Sequence, residues 1–348
     1  IGISPFTNEK TPSFNVSQSK QIFKCFGCQE GGDVIDFVRL MENLSFPDAV
    51  KYLAEKRGIP LPSEQIRTSI PTQDNSQLLS LMEIAQVYFS ESLRSNSKAS
   101  SYLTQRKISE ETIERFGLGY APPQREALTR QLLAAGHQPD LILASGLAIQ
   151  REGDKLIDRF RNRLMIPICR TTGSVIAFGG RALESGQQPK YVNSPETELY
   201  TKGRTLYGLH LTKDAIRRLG YSVMVEGYFD FAQALQAGVA PLVASCGTAV
   251  TDRQTRLLKR FTSKVILSFD SDTAGHNAST RSGELLVSEG LQVNVAVLDS
   301  GEDPDTSLRR RGQAHYIKKL KESTPYLEFV LDRAAHRHDF SRDEQRRA

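Results

Sequence analysis

The sequence predicts an α/β core built on a parallel β-sheet, in a chain that is α+β overall. Three apolar runs typical of β-strands cover residues 223–225, 265–269 and 293–298. Stretches with helical apolar periodicity lie between them. Alternating strands and helices predict βαβ units and a parallel sheet. In such sheets ligands bind beyond the carboxyl ends of the strands, so the residues that follow each run are candidates for a functional site.

Acidic residues follow each of the three runs, in the pairs Glu226 and Asp230, Asp270 and Asp272, and Asp303 and Asp305. Two like charges about 4 Å apart near a protein surface repel by about 4 kcal/mol, so a fold that gathers these groups needs a compensating cation. Oxygen ligands without His or Cys favour Mg²⁺ or Mn²⁺. The alternative is structural, because turns favour Asp and because Asp272 could cap the helix that follows it.

The composition sets the broad class. A chain of 348 residues is long enough for two or three domains, and no apolar run approaches the length of a membrane helix. The first residues lack the charged and then apolar pattern of a signal peptide. The chain starts at Ile1 and ends after a helical pattern, so we expect a fragment cut at both ends. Four cysteines give no disulfide framework, which predicts a reducing, cytoplasmic location.

The pattern along the chain predicts five parts. Residues 1–62 form a small module with two short strands and two helices, and residues 63–78 form a polar linker. Residues 79–215 form a basic subdomain that begins with a helix over residues 78–103 and contains a short helix capped by Ser109. Residues 216–302 contain the acidic sheet, and residues 303–348 begin a charged helical subdomain.

The basic residues precede the acidic ones in the chain. Residues 151–218 contain thirteen Lys and Arg against seven Asp and Glu. Arg159, Arg161 and Arg163 alternate, which on a strand would place all three on one face. Arginine matches phosphate oxygens with its planar fork, so this face could follow a nucleic-acid backbone. A solvated edge strand is the structural alternative.

The ordered motifs of the chain resemble those of bacterial DnaG-type primases. The acidic motifs EGYFD, SCGTA, SFDSDTAG and GEDPD, over residues 226–305, are similar to those of the Toprim domain in that family. The upstream motifs RFRNR, IAFGGR, PKYVNSPET and KGRTLYG, over residues 159–208, occur in the same order. The resemblance covers nearly the whole chain.

This resemblance implies DNA-directed synthesis of short RNA primers on single-stranded DNA during replication, by metal-dependent nucleotidyl transfer. It implies Glu226, Asp270 and Asp272 as catalytic metal ligands, with Glu226 as an alternative general acid or base. Asp230, Asp303 and Asp305 would bind a further ion or support the first three. It also implies a groove for template and ribonucleotides, lined by Arg106, Arg159, Arg161, Arg163, Arg181, Lys190, Tyr191, Asn193, Lys202 and Arg204.

The N-terminal module carries half of a zinc site. Cys25 and Cys28 form a CxxC pair at a predicted hairpin turn, as in a zinc ribbon. The resemblance implies a Cys and a His upstream, but Ser4 and Thr7 occupy those positions. Neither hydroxyl is a normal zinc ligand. We therefore expect a ribbon shape without a complete zinc site, compensated by hydrophobic packing or by ligands shared between molecules.

Two other readings of the acidic motifs stay open. A Toprim nuclease or topoisomerase would share the acids but break phosphodiester bonds. A non-catalytic subunit would only bind single-stranded DNA. The primase reading implies template DNA, ribonucleoside triphosphates and the RNA primer as partners, no membrane, a nucleoid-associated bacterial location, and contact with the replicative helicase only through a C-terminal region beyond these residues.

Overall fold

The computed structural model describes residues 1–6, 11–42, 44, 46–59, 75–151, 155–184, 186–247 and 249–337. Its contacts divide the chain into two units. One consists of Ile1–Asn75 with Arg170–Ser174, and the other of Ser76–Cys169 with Val175–Ala348. Residues 63–74 of the predicted linker and residues 338–348 of the predicted helical subdomain lie outside the described residues, so the five domain boundaries stay predictions.

The first unit contains a small antiparallel sheet and two helices. The sheet has the order β1 (Phe14–Ser17), β2 (Ile22–Cys25) and β3 (Gly31–Gly32). The helices are α1 (Val34–Glu42) and α2 (Phe46–Arg57). Asp33 begins α1, since its carboxylate accepts the backbone N–H groups of Ile35 and Asp36 at 2.8 and 3.0 Å. The two predicted strands and the two predicted helices are present, and β3 is an additional strand of two residues.

The second unit begins with helices and an antiparallel sheet. Its first elements are α3 (Ser76–Arg94), α4 (Ser97–Gln105), α5 (Glu110–Phe116), β4 (Gly119–Ala121), α6 (Ala127–Ala134), α7 (Pro139–Ala144), β5 (Ala148–Arg151), β6 (Lys155–Asp158), β7 (Arg163–Cys169), β8 (Val175–Ala182) and β9 (Tyr191–Asn193). The antiparallel sheet has the order β4-β7-β8-β9, and β5 pairs with β6 in a separate hairpin. Helix α3 packs on the larger sheet, where the rings of Phe89 and Phe178 meet edge to face at 5.2 Å.

The single helix predicted over residues 78–103 is wrong in one respect, because the structure divides it into α3 and α4. Asn96 interrupts the helix because its backbone is extended. Its side chain caps α4 by accepting the N–H of Ala99 at 2.8 Å. The next prediction is confirmed, since Ser109 caps α5 by accepting the N–H of Thr112 at 3.2 Å.

The remaining elements form a parallel sheet with helices on both faces. They are α8 (Leu209–Leu219), β10 (Ser222–Val225), α9 (Tyr228–Gln236), β11 (Leu242–Ala244), α10 (Asp252–Lys259), β12 (Lys264–Leu267), α11 (Thr273–Ser288), β13 (Gln292–Val295), α12 (Pro304–Arg311), α13 (Gln313–Lys321), β14 (Thr324–Pro325) and α14 (Tyr326–Arg337). The strand order is β11-β10-β12-β13-β14, parallel except for β14. The predicted parallel sheet is confirmed; the strand order was not predictable from the sequence.

Burial on both faces explains why these strands are apolar without alternation. Val223 and Val225 pack in one cluster with Phe231 of α9. Met224, between them, packs in the opposite cluster with Leu286 of α11. Strands covered on both faces are expected to be continuously apolar. Within the described residues, no helix is both long and apolar enough to cross a lipid bilayer.

Candidate active site

The acidic motifs meet at one edge of the parallel sheet. Glu226 directly follows β10, Asp270 lies three residues beyond β12, and Asp303 begins α12 after the loop that leaves β13. Strands β10, β12 and β13 are parallel neighbours, so their carboxyl ends lie side by side. The structure therefore places these acids at the sheet edge where the sequence predicts a functional site.

Hydrogen bonds tie the two acidic loops together. The backbone N–H of Ser271 donates to the carbonyl of Glu302 at 3.0 Å, and the N–H of Glu302 donates to the hydroxyl of Ser271 at 2.9 Å. Ser271 stands between Asp270 and Asp272, and Glu302 precedes Asp303. The pair therefore fixes the first loop beside the second.

Asp272 and Asp303 are both helix caps. Asp272 accepts the N–H of Gly275 at 2.7 Å at the start of α11, and Asp303 accepts the N–H of Thr306 at 2.5 Å at the start of α12. The structural alternative for Asp272 is thus realised. In each cap one carboxylate oxygen accepts the hydrogen bond, so capping leaves the second oxygen able to contact a cation.

Asp230 and Asp305 are held by the protein itself. Asp230 is buried in α9, where one oxygen accepts the N–H of Gly227 at 2.9 Å and the other accepts the N–H of Asp305 at 3.2 Å. The carboxylate of Asp305 contacts Arg106 at 2.7 Å and Arg309 at 2.8 Å. Two guanidinium groups thus occupy the oxygens of Asp305, which favours the predicted supporting role over the predicted metal contact, and both roles stay predictions.

Burial and mutual repulsion raise the pKa of three carboxyls in this cluster. Burial, then the charge of Asp270, raises the pKa of Glu226 to about 7. Burial, then Asp303 and Asp270, raises the pKa of Asp230 to about 8. Burial, then Asp303 and Asp272, raises the pKa of Asp270 to about 6. A carboxyl that holds its proton near neutral pH must release it to bind a metal ion.

The donor set fits a hard divalent cation. One oxygen of Glu226 (Oε1) is buried, and no donor among the described residues bonds to it. A buried oxygen without a partner is costly unless an ion or water satisfies it. Glu226, Asp270, Asp303 and the second oxygen of Asp272 are the groups that would hold Mg²⁺ or Mn²⁺.

A cavity of about 640 Å³ opens beside these acids. Its charged lining residues are Glu226, Asp230, Asp270, Asp303, Asp305, Arg106, Lys190, Lys202 and Arg281. Tyr191 and Asn193 also line it, whereas Asp272 is exposed and is not a lining residue. Predicted acids and part of the predicted basic segment therefore line one cavity.

Two contacts attach the basic strand segment to the acidic sheet. The amide oxygen of Asn193 on β9 accepts the hydroxyl of Tyr228 on α9 at 3.0 Å. The ammonium group of Lys202 donates to the carbonyl of Gly247, in the loop after β11, at 3.2 Å. The charge of Lys190 acts to lower the pKa of Asp270, against the larger upward shift from burial. Cations and carboxylates thus line the same cavity.

The predicted arginine face at residues 159–163 is wrong. Strand β7 begins only at Arg163, and Asn162 has a left-handed backbone (φ 52°), so the three arginines do not lie on one strand. Arg163 is 5% exposed and donates to the carbonyls of Gly180 and Lys190.

Arg159 and Arg161 also donate to backbone carbonyls, those of Gly146 and Asp158. Carbonyls therefore take up donors of all three arginines that were predicted to bind phosphate. Contact of these residues with nucleic acid stays a prediction.

Two further predicted residues lie outside the cavity lining. Arg181 is 8% exposed, and its guanidinium lies over the rings of Tyr102, Tyr191 and Phe229 at 4.8 to 5.5 Å. Arg181 thereby packs against the ring of Tyr191. Arg204 is exposed in a 3₁₀ turn, Lys202–Arg204. Contacts of either residue with nucleic acid stay predictions.

Sequence reasoning missed Arg281. This residue lies on α11 and lines the cavity together with Ala274 and Ala278. The spacing of these three positions, four and then three residues apart, is that of one helix face. That periodicity after the SFDSDTAG motif was the signal that could have identified Arg281.

A second acidic group lies at the end of the loop before α12. The ligand atoms of Asp299, Glu302 and His315 lie within 4.8 Å of one another. Lys319 contacts Asp299 at 2.7 Å, and Arg311 contacts Glu302 at 2.8 Å. Their two positive charges neutralise the two carboxylates, so this group is an ion-pair network and not a second metal candidate.

The predicted zinc residues belong to the first unit. Cys25 ends β2 and is fully buried, and Cys28 is half-buried in the turn that follows. Ser4 is 5% exposed. Thr7 lies outside the described residues.

Three family models match the chain in succession. Residues 1–69 match the CHC2 zinc finger, residues 88–213 match the N-terminal domain of the DNA primase catalytic core, and residues 223–308 match the Toprim-like family. The DNA primases of Clostridium acetobutylicum and Halalkalibacterium halodurans are both 40% identical to it. The alignments cover 96% and 95% of this chain and 56% of each relative. The chain thus spans a little over half the length of these relatives.

Solved structures agree with the sequence matches. The zinc-binding and RNA polymerase domains of Aquifex aeolicus primase superpose with a TM-score of 0.72 at 35% identity, over 99% of this chain and 82% of that one. A DnaG primase catalytic domain bound to single-stranded DNA superposes with a TM-score of 0.69 at 34% identity, over 78% of this chain and 86% of that one. This chain belongs to the DnaG-type family of bacterial DNA primases.

Proposed function

We propose that this chain synthesises short RNA primers on a single-stranded DNA template, as a DNA-directed RNA polymerase. One observation carries the proposal: a single cavity contains the carboxylates at the ends of the parallel strands and the cations and tyrosine of the antiparallel sheet. Polymerisation needs both, because the acids hold divalent ions and the cations hold phosphates.

In the proposed reaction, the 3′-hydroxyl of one ribonucleotide attacks the α-phosphorus of a ribonucleoside triphosphate. A new O–P bond forms, the bond to pyrophosphate breaks, and the hydroxyl proton leaves to solvent or to a nearby base. Bound Mg²⁺ or Mn²⁺ would supply charge neutralisation and activation of the hydroxyl. Glu226, Asp270, Asp272 and Asp303 provide the oxygens for these ions.

The cationic side of the cavity would hold the nucleic-acid backbone and the triphosphate. Lys190 and Lys202 present ammonium groups from the segment that leads to and follows β9. Tyr191 is 36% exposed, so its ring can stack on a base. Arg106 is held in place by Asp305 and lies over the ring of Phe229 at 4.5 Å.

A primer-synthesis assay tests this proposal. The chain is incubated with single-stranded DNA, labelled ribonucleotides and Mg²⁺ or Mn²⁺, and is compared with Asp270→Ala and Glu226→Ala. We expect short RNA products that fall at least about 100-fold in either variant. Asp214→Asn is the control, since Asp214 is an exposed residue of α8 with only a 3.8 Å contact to Arg217.

Each of the other possible results would indicate a different function or a different site. Metal-dependent cleavage of the DNA, without RNA synthesis, would assign the chain to the nucleases that share the Toprim fold. DNA binding without any chemistry would indicate a binding subunit. Full synthesis by both variants would refute the site assignment. A cytoplasmic location and partnership with the replicative helicase, through a region beyond these residues, belong to the same proposal.

A further inference from the structure

The first unit has the outline of a zinc ribbon but half of its ligands. Cys25 and Cys28 frame the turn between β2 and β3, where a ribbon carries one ligand pair. Ser4 and Thr7 stand in place of the other pair, and the first histidine of the chain is His137. Zinc in structural sites takes four Cys or His ligands, so this donor set does not fit the metal.

A hydrogen bond occupies the place of the missing ligand. The thiol of Cys25 donates to the hydroxyl of Ser4 at 3.2 Å, and both side chains are buried. The same hydroxyl accepts the backbone N–H of Phe6 at 3.1 Å. The hydroxyl of Ser13 lies 3.6 Å from the sulfur of Cys25 and accepts the N–H of Gly27 at 3.1 Å. The hydroxyl groups of two serines thus lie beside the sulfur of Cys25.

Four phenylalanine side chains form a small core on the face of the sheet that carries Cys25. The rings of Phe6, Phe14, Phe23 and Phe37 contact one another, with every centroid distance between 5.5 and 5.9 Å. Each such aromatic pair contributes about 0.5 to 1.5 kcal/mol beyond its buried area. The cluster joins the N-terminal segment, both long strands and α1. Two of these parts, the N-terminal segment and the end of β2, carry the positions at which a ribbon binds its metal.

We propose that this N-terminal module is a ribbon that folds without a metal. The Ser4–Cys25 hydrogen bond and the cluster of four phenylalanines stabilise its fold in place of zinc. The module keeps the ribbon geometry and lacks only two ligands. Zinc ribbons generally depend on the metal for folding. The module of this chain differs from them in that its folding needs no zinc.

The test uses the whole 348-residue chain, produced in zinc-supplemented medium. Zinc is quantified by mass spectrometry of the purified protein. The reaction of Cys28 with a thiol reagent, followed on its own peptide, reports on the first unit alone. Excess Mg²⁺ is kept present, and 1,10-phenanthroline removes zinc. We expect a zinc content far below one per chain, and a rate of Cys28 modification that the chelator does not change.

The double variant Ser4→Cys with Thr7→His is the matched control. It restores four ligands, so we expect about one zinc per chain and Cys28 modification that is slow until the chelator is added. Stoichiometric zinc in the natural chain, or faster Cys28 modification on chelation, would overturn the proposal. So would failure of the double variant to take up zinc, because the ribbon geometry would then not be retained. None of these readouts depends on primer synthesis, so they stand apart from the proposed function.

Discussion

The carboxylate of Asp305 lies 2.7 Å from the guanidinium of Arg106, and the two residues are 199 positions apart in the sequence. The side chain of Asp305 is only 3% exposed, and that of Arg106 is 23% exposed. Arg309 completes the group with two contacts at 2.8 and 2.9 Å. The pair joins the helical layer before the antiparallel sheet to the loop that carries Asp303. Asp305 therefore positions a cation of the cavity.

The first prediction separates this role from metal binding. In Asp305→Asn the charge is lost but the shape is kept, and two guanidinium groups lose their partner. Breaking a buried ion pair from one side costs about 3 to 5 kcal/mol, so we expect a large loss of stability to urea. Asp270→Asn should instead reduce Mn²⁺ affinity with little loss of stability. The natural Asp270 carboxylate is repelled by neighbouring carboxylates, so removing its charge also removes this repulsion.

The two variants are compared by urea unfolding and by Mn²⁺ titration. The assignment of Asp305 as a positioning residue fails if Asp305→Asn keeps its stability and loses Mn²⁺ affinity as Asp270→Asn does.

The second prediction concerns Gly275, the third residue of α11. A Cβ atom there would lie 2.2 Å from the carbonyl oxygen of Asp270 and 2.9 Å from its Cβ. Alanine ordinarily favours a helix over glycine by about 1 kcal/mol, but here it must displace the loop of Asp270. We expect Gly275→Ala to reduce primer synthesis by about 100-fold, the cost of misplacing a reacting group by about 1 Å.

The control for this change is Gly186→Ala. Apart from its chain neighbours, no described residue has a heavy atom within 4 Å of a Cβ added at Gly186, so the substitution should leave synthesis unchanged. Initial rates of RNA synthesis at saturating Mg²⁺ provide the measurement. Equal rates for both variants and the natural chain would mean that the loop tolerates the displacement.

The sheet and the gathering of acids at its edge were predictable for a physical reason. Strands buried on both faces must be apolar throughout, and the polar residues that end them must lie at the sheet edge. Glu226 and Asp270 were identified in this way. The motif resemblance added Lys190, Tyr191, Asn193 and Lys202, which the structure brings to the same cavity.

Contacts between distant segments were not predictable. Nothing near Asp305 in the sequence indicates that Arg106 is its partner, and nothing near Ser271 indicates Glu302. Alternation of Arg159, Arg161 and Arg163 predicted a strand, but the left-handed backbone of Asn162 interrupts it. Local patterns carry no information on which carbonyls or carboxylates a long side chain will reach after folding.

The third prediction is a pH-dependent effect of Mg²⁺ on stability. The folded-state pKa values of Glu226 and Asp270, about 7 and about 6, lie above ordinary values of about 4.3 and 3.9. At pH values between the ordinary and the folded-state pKa values, the folded state binds more protons than the unfolded state. Without divalent ions, the free energy of unfolding therefore falls as pH rises through this interval. Mg²⁺ binds the deprotonated carboxylates and stabilises the folded state.

We therefore expect Mg²⁺ to raise the melting temperature more at about pH 8 than at about pH 5.5. Thermal unfolding with Mg²⁺ or with EDTA, at both pH values, measures the difference. In the variant Glu226→Gln with Asp270→Asn the difference should shrink, since neither group titrates. An Mg²⁺ effect of equal size at both pH values would contradict the assignment of these acids as ligands.

The fourth prediction assigns Arg281 to the triphosphate. Arg281 is exposed at the cavity and makes no ion pair with any other described residue. A charge-assisted contact with phosphate contributes about 1.5 to 3 kcal/mol, so Arg281→Ala should raise the KM for ribonucleoside triphosphates at least about 10-fold. The melting temperature should not change, because the natural side chain has no such partner to lose. Arg130→Ala is the control, since Arg130 is 81% exposed on α6 and does not line the cavity that contains Arg281. An unchanged KM in Arg281→Ala, or a KM raised equally in both variants, would place the triphosphate elsewhere in the cavity.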